Sequence, residues 1–216
     1  MTDMRESNRG EHGETTLSGR RRPSAVRASI QTLCVLVAFT AAGCALPADS
    51  ALGLIVEGGG TASDDVVPEV AYCDAVADWD AVWVNFENVV LELVNRQRAA
   101  GADCGSTGTF TPANPLSMSP ALRCAARNHS LDMSTRDYFD HYSPEGEGPG
   151  EHLDRSGYHG STWGENIAWG YATPEAVVSG WMSSPGHCAN IMGGQFTETG
   201  IGYHEGSLWT QTFGRP

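Results

Sequence analysis

The chain has 216 residues, enough for one ordinary domain plus additional segments. Thirteen basic against 26 acidic residues give a formal net charge of −13, and lysine is absent. Six of the 13 bases fall within residues 1–43, so the remainder carries 22 acids against seven bases. Such a surface repels phosphate backbones and excludes nucleic acid as a partner.

The first 43 residues read as a targeting segment. Arg20, Arg21, Arg22 and Arg27 form a basic region, and residues 30–42 form a short apolar run. That run suits a signal peptide and is too short to span a bilayer as a mature helix. Ala41-Ala42-Gly43-Cys44 follows and resembles a bacterial lipobox, although Ala41 stands where Leu is usual. In that reading cleavage precedes Cys44, whose thiol carries the lipid. Plain signal cleavage with Cys44 incidental is the alternative. Residues 44–70, with Gly58-Gly59-Gly60 among them, read as a flexible tether. The folded domain is expected over 71–216.

Removing Cys34 with the signal and assigning Cys44 to lipid leaves Cys73, Cys104, Cys124 and Cys188. Four cysteines in an oxidising compartment allow three pairings, and none has zinc-finger spacing. Cys73–Cys104 would bracket the first helix, and Cys124–Cys188 would tie the second helix to the segment holding His187. These are the expected bridges.

From Asp78, apolar residues recur at helical spacing through Val82, Phe86, Val89, Val90, Leu93 and Val94, and Gly101 ends the run. A loop covers residues 105–115. Ser119-Pro120 marks the start of a second helix through Leu122, Ala125, Ala126, His129 and Met133. Residues 140–150 read as loop and 151–156 as a short helix. Residues 164–170 read as a strand, and Thr173-Pro174-Glu175 caps a further helix through Trp181. Strands over 198–204 and 208–214 close the chain as a hairpin. Helices and strands mix without βαβ order, so the class is α+β.

Several strings stand out in order: Phe139-Asp140-His141-Tyr142-Ser143-Pro144, Gly164-Glu165-Asn166-Ile167-Ala168, Trp181-Met182-Ser183-Ser184-Pro185-Gly186-His187, and Trp209-Thr210-Gln211-Thr212-Phe213-Gly214. Together they resemble the bacterial branch of the CAP superfamily (SCP-like domains), over roughly residues 86–214. That superfamily includes cysteine-rich secretory proteins, insect venom antigens and plant pathogenesis-related proteins. The resemblance implies a three-layer α-β-α sandwich with a central antiparallel sheet. It also implies a cleft lined by two histidines and two acids. His141, Glu165 and His187 take three of those places. The fourth should fall just after Trp181, where the chain has Ser183-Ser184.

Read from the residues alone, two imidazoles and a carboxylate could hold a divalent cation such as zinc, with His141 and His187 as ligands. They could activate a water, with Glu165 as base. They could instead form a hydrogen-bonded cluster that pins the fold or touches a ligand. Ser184, Asn166 and Trp163 are candidate cleft neighbours, and Trp169 flanks the same strand. His129 reads as a core histidine. No G-x-S-x-G, P-loop or H-E-x-x-H context is present. The expectation is an exported binding module, with a hydrolase, most readily a peptidase, and a purely structural envelope protein as alternatives. The resemblance implies lipid, cell-wall or extracellular-protein partners, and the membrane is reached only through the N-terminal lipid.

Overall fold

The computed structural model describes residues 65–216. The signal segment, Cys44 and most of the expected tether lie outside the described residues. A 3-10 turn, Ala71–Val76, opens the domain. Helix α1 (Ala81–Ala100) starts where the Asp80 carboxylate accepts from the backbone N–H groups of Val82 and Trp83, at 2.7 and 3.3 Å. It ends at Gly101, whose φ of 78° suits glycine. Short strands β1 (Ala102–Asp103) and β2 (Thr109–Phe110) pair with each other, and β3 (Ser117–Met118) leads into α2 (Pro120–Arg136). Helix α3 (Pro149–Arg155) and strand β4 (Thr162–Trp169) follow. Helices α4 (Pro174–Ser183) and α5 (Pro185–Met192) precede the hairpin of β5 (Glu198–His204) and β6 (Leu208–Arg215). Among the described residues no helix is long and apolar enough to cross a membrane.

The main sheet has the order β3-β5-β6-β4. Its three long strands pair antiparallel, and β3 joins β5 in parallel. Helix α2, with α3 beside it, covers one face. Gly200 and Gly202 explain how closely it lies. A Cβ at Gly200 would sit 2.0 Å from the backbone carbon of Leu122, and one at Gly202 would sit 2.4 Å from that of Ala126. Helices α1, α4 and α5 cover the opposite face around Val94, Trp181, Ile191, Ile201, Trp209 and Phe213. The result is the α-β-α sandwich.

Several details depart from the sequence reading. Ser119 occupies the start of α2 with no side-chain cap. Its backbone N–H instead extends the β3–β5 pairing by donating to Thr199 O at 2.9 Å. Val82, counted in the apolar stripe of α1, is exposed. The segment holding His187 is a helix, α5. Residues 65–70, read as the end of a tether, meet the domain through Asp65, which pairs with Arg127.

The expected disulfide pairing is overturned. Cys73 bonds Cys124, and Cys104 bonds Cys188. The reason is the sheet. Cys124 lies on α2 on one face, and Cys188 lies in α5 in the core of the other face. One bridge therefore fastens the 3-10 turn to α2, and the other fastens the segment after α1 to α5.

Candidate functional site

Strand β4 is an edge strand and presents different side chains to its two faces. Glu165 stands opposite Thr212, whose hydroxyl donates to Leu122 O of α2 at 3.1 Å. Cross-strand partners share a face, so Glu165 lies on the α2–α3 side. Asn166 stands opposite Gln211 and lies on the α5 side.

Glu165 meets His141, which arrives on the loop after α2. The imidazole Nδ1 lies 2.7 Å from Glu165 Oε1. The Glu165 side chain is 2% exposed and that of His141 is 31% exposed. The second carboxylate oxygen, Oε2, is buried without a hydrogen-bond partner. Burial opposes the charged form of His141. The hydrogen bond to Glu165 and the carboxylate charge outweigh it and raise the pKa above the ordinary 6.5.

The His141 loop is itself held. His129 is buried on α2, and its Nε2 lies 3.0 Å from Asp140 O. A carbonyl only accepts, so this ring nitrogen carries the hydrogen. The Asp140 side chain accepts from the Tyr142 N–H at 3.1 Å.

His187 enters from the first turn of α5. Burial and the nearby charge of His141 push its pKa down to about 4. Its ring therefore stays neutral well into acid, while the pKa of His141 is shifted in the opposite direction. Asn190, one turn further, donates to Glu165 O at 3.2 Å and to Asn166 Oδ1 at 2.9 Å. Asn166 donates to His187 O at 3.3 Å. Asn166, expected at the cleft, is fully buried and positions α5 instead. Asn190 was not singled out in the sequence, although it follows His187 by three residues on one helical face. Arg98 holds the far end of α5 by donating to Ile191 O at 2.7 Å and Gly193 O at 3.0 Å.

Ser184 is the half-buried junction between α4 and α5. Ser183 is exposed and donates to Ser179 O at 2.8 Å. Trp163 and Trp169 are exposed, on the same face of β4 as Glu165.

Glu165 holds His141 Nδ1, which leaves Nε2 as the nitrogen a cation or ligand could meet, and the fourth position is serine. Among the described residues, no three His, Cys, Asp or Glu side chains are gathered so as to hold a metal ion.

The sequence profile of the CAP family, described as the cysteine-rich secretory protein family, matches residues 91–213. The chain belongs to this family. It is 41% identical over 129 residues to the uncharacterized protein YkwD of Bacillus subtilis, a match covering 59% of this chain and 46% of YkwD. It is 33% identical over 88 residues to the uncharacterized membrane protein YlbC of the same organism, covering 41% of this chain and 25% of YlbC. The chain thus spans less than half the length of either relative.

Among solved structures, an extracellular protein containing a SCP domain from Bacillus anthracis superposes with a TM-score of 0.55 at 29% identity. That likeness covers 61% of this chain and 41% of the other. An outer surface protein from Borrelia burgdorferi shares the fold, with a TM-score of 0.53 at 15% identity, over 61% of this chain and 92% of its own.

Proposed function

We propose that this is an extracytoplasmic binding module, exported and anchored through a lipid on Cys44, which takes a ligand at His141, Glu165 and His187 without transforming it. Two disulfides suit an oxidising compartment, and the Bacillus anthracis relative is described as extracellular. The observation that carries the reading is the His141–Glu165 pair standing without a second acid. Glu165 fixes the orientation of the His141 ring, whose Nε2 can then meet a ligand.

A second reading has one observation in its favour. A carboxylate bonded to Nδ1 orients an imidazole as in hydrolytic triads, leaving Nε2 for a substrate. The two readings separate in one experiment. The purified protein is incubated with peptide and glycan mixtures and followed by mass spectrometry. Ligand retained unchanged supports binding. Cleavage that disappears in Glu165→Gln and His141→Ala, with the fold retained, would establish the hydrolase instead.

A further inference from the structure

Residues alternate across a strand, so Trp163, Glu165, Ile167 and Trp169 share one face of β4. The two tryptophans are six residues apart, about 20 Å at ~3.3 Å per residue. Trp163 is 48% exposed and Trp169 is 61% exposed. The Trp163 ring lies over Gly150 of α3, with Cζ2 3.7 Å from where a Cβ would stand. Phe139, also exposed, lies beside Trp169 with ring centroids 6.2 Å apart. Between these aromatic ends sit the His141 imidazole and the buried Glu165 carboxylate, whose Oε2 is unpartnered. Single exposed aromatics need no explanation, but several of them bracketing a polar pair mark a recognition surface.

We infer that this strip binds a neutral oligosaccharide laid along β4 from Trp163 to Trp169, its rings stacked on the aromatic ends and its hydroxyls bonded at the part-exposed His141 imidazole that Glu165 holds. The inference rests on the binding-module reading and names its ligand class.

Three features favour sugar over other occupants. β-Linked pyranose rings present flat C–H faces to aromatic rings and hydroxyls at their rims, which matches an apolar–polar–apolar strip. An extended peptide would add to the edge of β4 through backbone hydrogen bonds. The carbonyls of Glu165 and Ile167 are already occupied, by Asn190 Nδ2 at 3.2 Å and Trp181 Nε1 at 3.3 Å. Anionic polymers meet a chain of net charge −13 without lysine, in which Arg136 and Arg155 are paired with Glu145 and Glu147.

The test titrates the full chain with N-acetylglucosamine oligomers from dimer to hexamer, read by tryptophan fluorescence and native mass spectrometry. Affinity should rise with oligomer length. Trp163→Ala and Trp169→Ala should each weaken it roughly tenfold, and Trp169→Phe should retain most of it. Circular dichroism of each variant checks the fold. No binding of any neutral oligomer, or binding indifferent to both tryptophans, would overturn the inference. Binding of heparin or of extended peptides instead, lost in His141→Ala, overturns the sugar class and leaves the binding module standing. Shortened oligomers in the same spectra overturn the binding-module reading and leave the strip assigned to sugar.

Discussion

Glu165 Oε1 lies 2.7 Å from His141 Nδ1, while Oε2 of the same carboxylate is buried without a partner. One oxygen fixes the imidazole, and the other is enclosed by the fold. His187 stands nearby with the opposite protonation preference.

The two histidines therefore oppose each other in pH dependence. The folded pKa of His141 is raised above 6.5, so its stabilising contribution is full below that value. That contribution is lost as pH rises through the folded pKa. The folded pKa of His187 is depressed to about 4, so its contribution is full above the ordinary 6.5 and is lost as pH falls toward about 4. Urea unfolding at a series of pH values should show an acid-side loss that His187→Gln flattens. Glu165→Gln should bring the His141 titration, followed by NMR, down. An unchanged His141 titration in that variant would contradict the pairing.

Glu87 is fully buried on α1 and pairs with Arg127, Oε2 to Nη2 at 2.7 Å. It also accepts weakly from the Tyr203 N–H of β5, at 3.4 Å. Burial pushes its carboxyl pKa up, against the pull of Arg127 and Arg123. Removing Glu87 leaves buried Arg127 with only the part-exposed Asp65 as a carboxylate partner, so Glu87→Ala should cost about 3–5 kcal/mol. Glu92, exposed and paired with Arg96, serves as control, and Glu92→Ala should cost about 0–1 kcal/mol. Denaturant midpoints of the two variants decide the point.

The bridges close segments of 51 and 84 residues. On the chain-entropy account each should contribute about 4–5 kcal/mol. Paired Cys→Ser variants at 73 and 124, and separately at 104 and 188, should each lower the melting temperature. A digest without reductant should yield peptides joining Cys73 to Cys124 and Cys104 to Cys188. Only the second variant should disturb the His187 resonances. Equal disturbance by both would sever the proposed link between that bridge and the site.

Lipid attachment at Cys44 has its own measurement. Metabolic acyl labelling should vanish in Cys44→Ala and persist in Cys34→Ala. A label that survives Cys44→Ala places the lipid elsewhere.

Much of the fold was legible because short polar and small residues punctuate it. Gly101, Pro120 and Thr173-Pro174 bound their helices as local chemistry requires. The hairpin of β5 and β6 follows from its turn at 205–207. His141 and Glu165 could be singled out because their motifs are local strings. The disulfide pairing could not, because proximity along the chain says nothing about which face of a sheet a cysteine occupies. Glu87 was hidden for a related reason. Nothing nearby in sequence distinguishes it from exposed Glu92, and only the arrival of Arg127 and Tyr203 makes its place buried. Asn166 sits in the same string as Glu165, yet the alternation of β4 sends it to the other face.

Helix α5 has eight residues, too few to hold its shape alone. It is clamped by Cys104–Cys188, Arg98, Asn166 and Asn190. The bridge among these clamps closes only where thiols are oxidised. Reducing conditions would open both bridges, and at α5 they would remove the one covalent clamp beside His187. The Cys104–Cys188 bond thus ties the placement of His187 to the redox state around the chain.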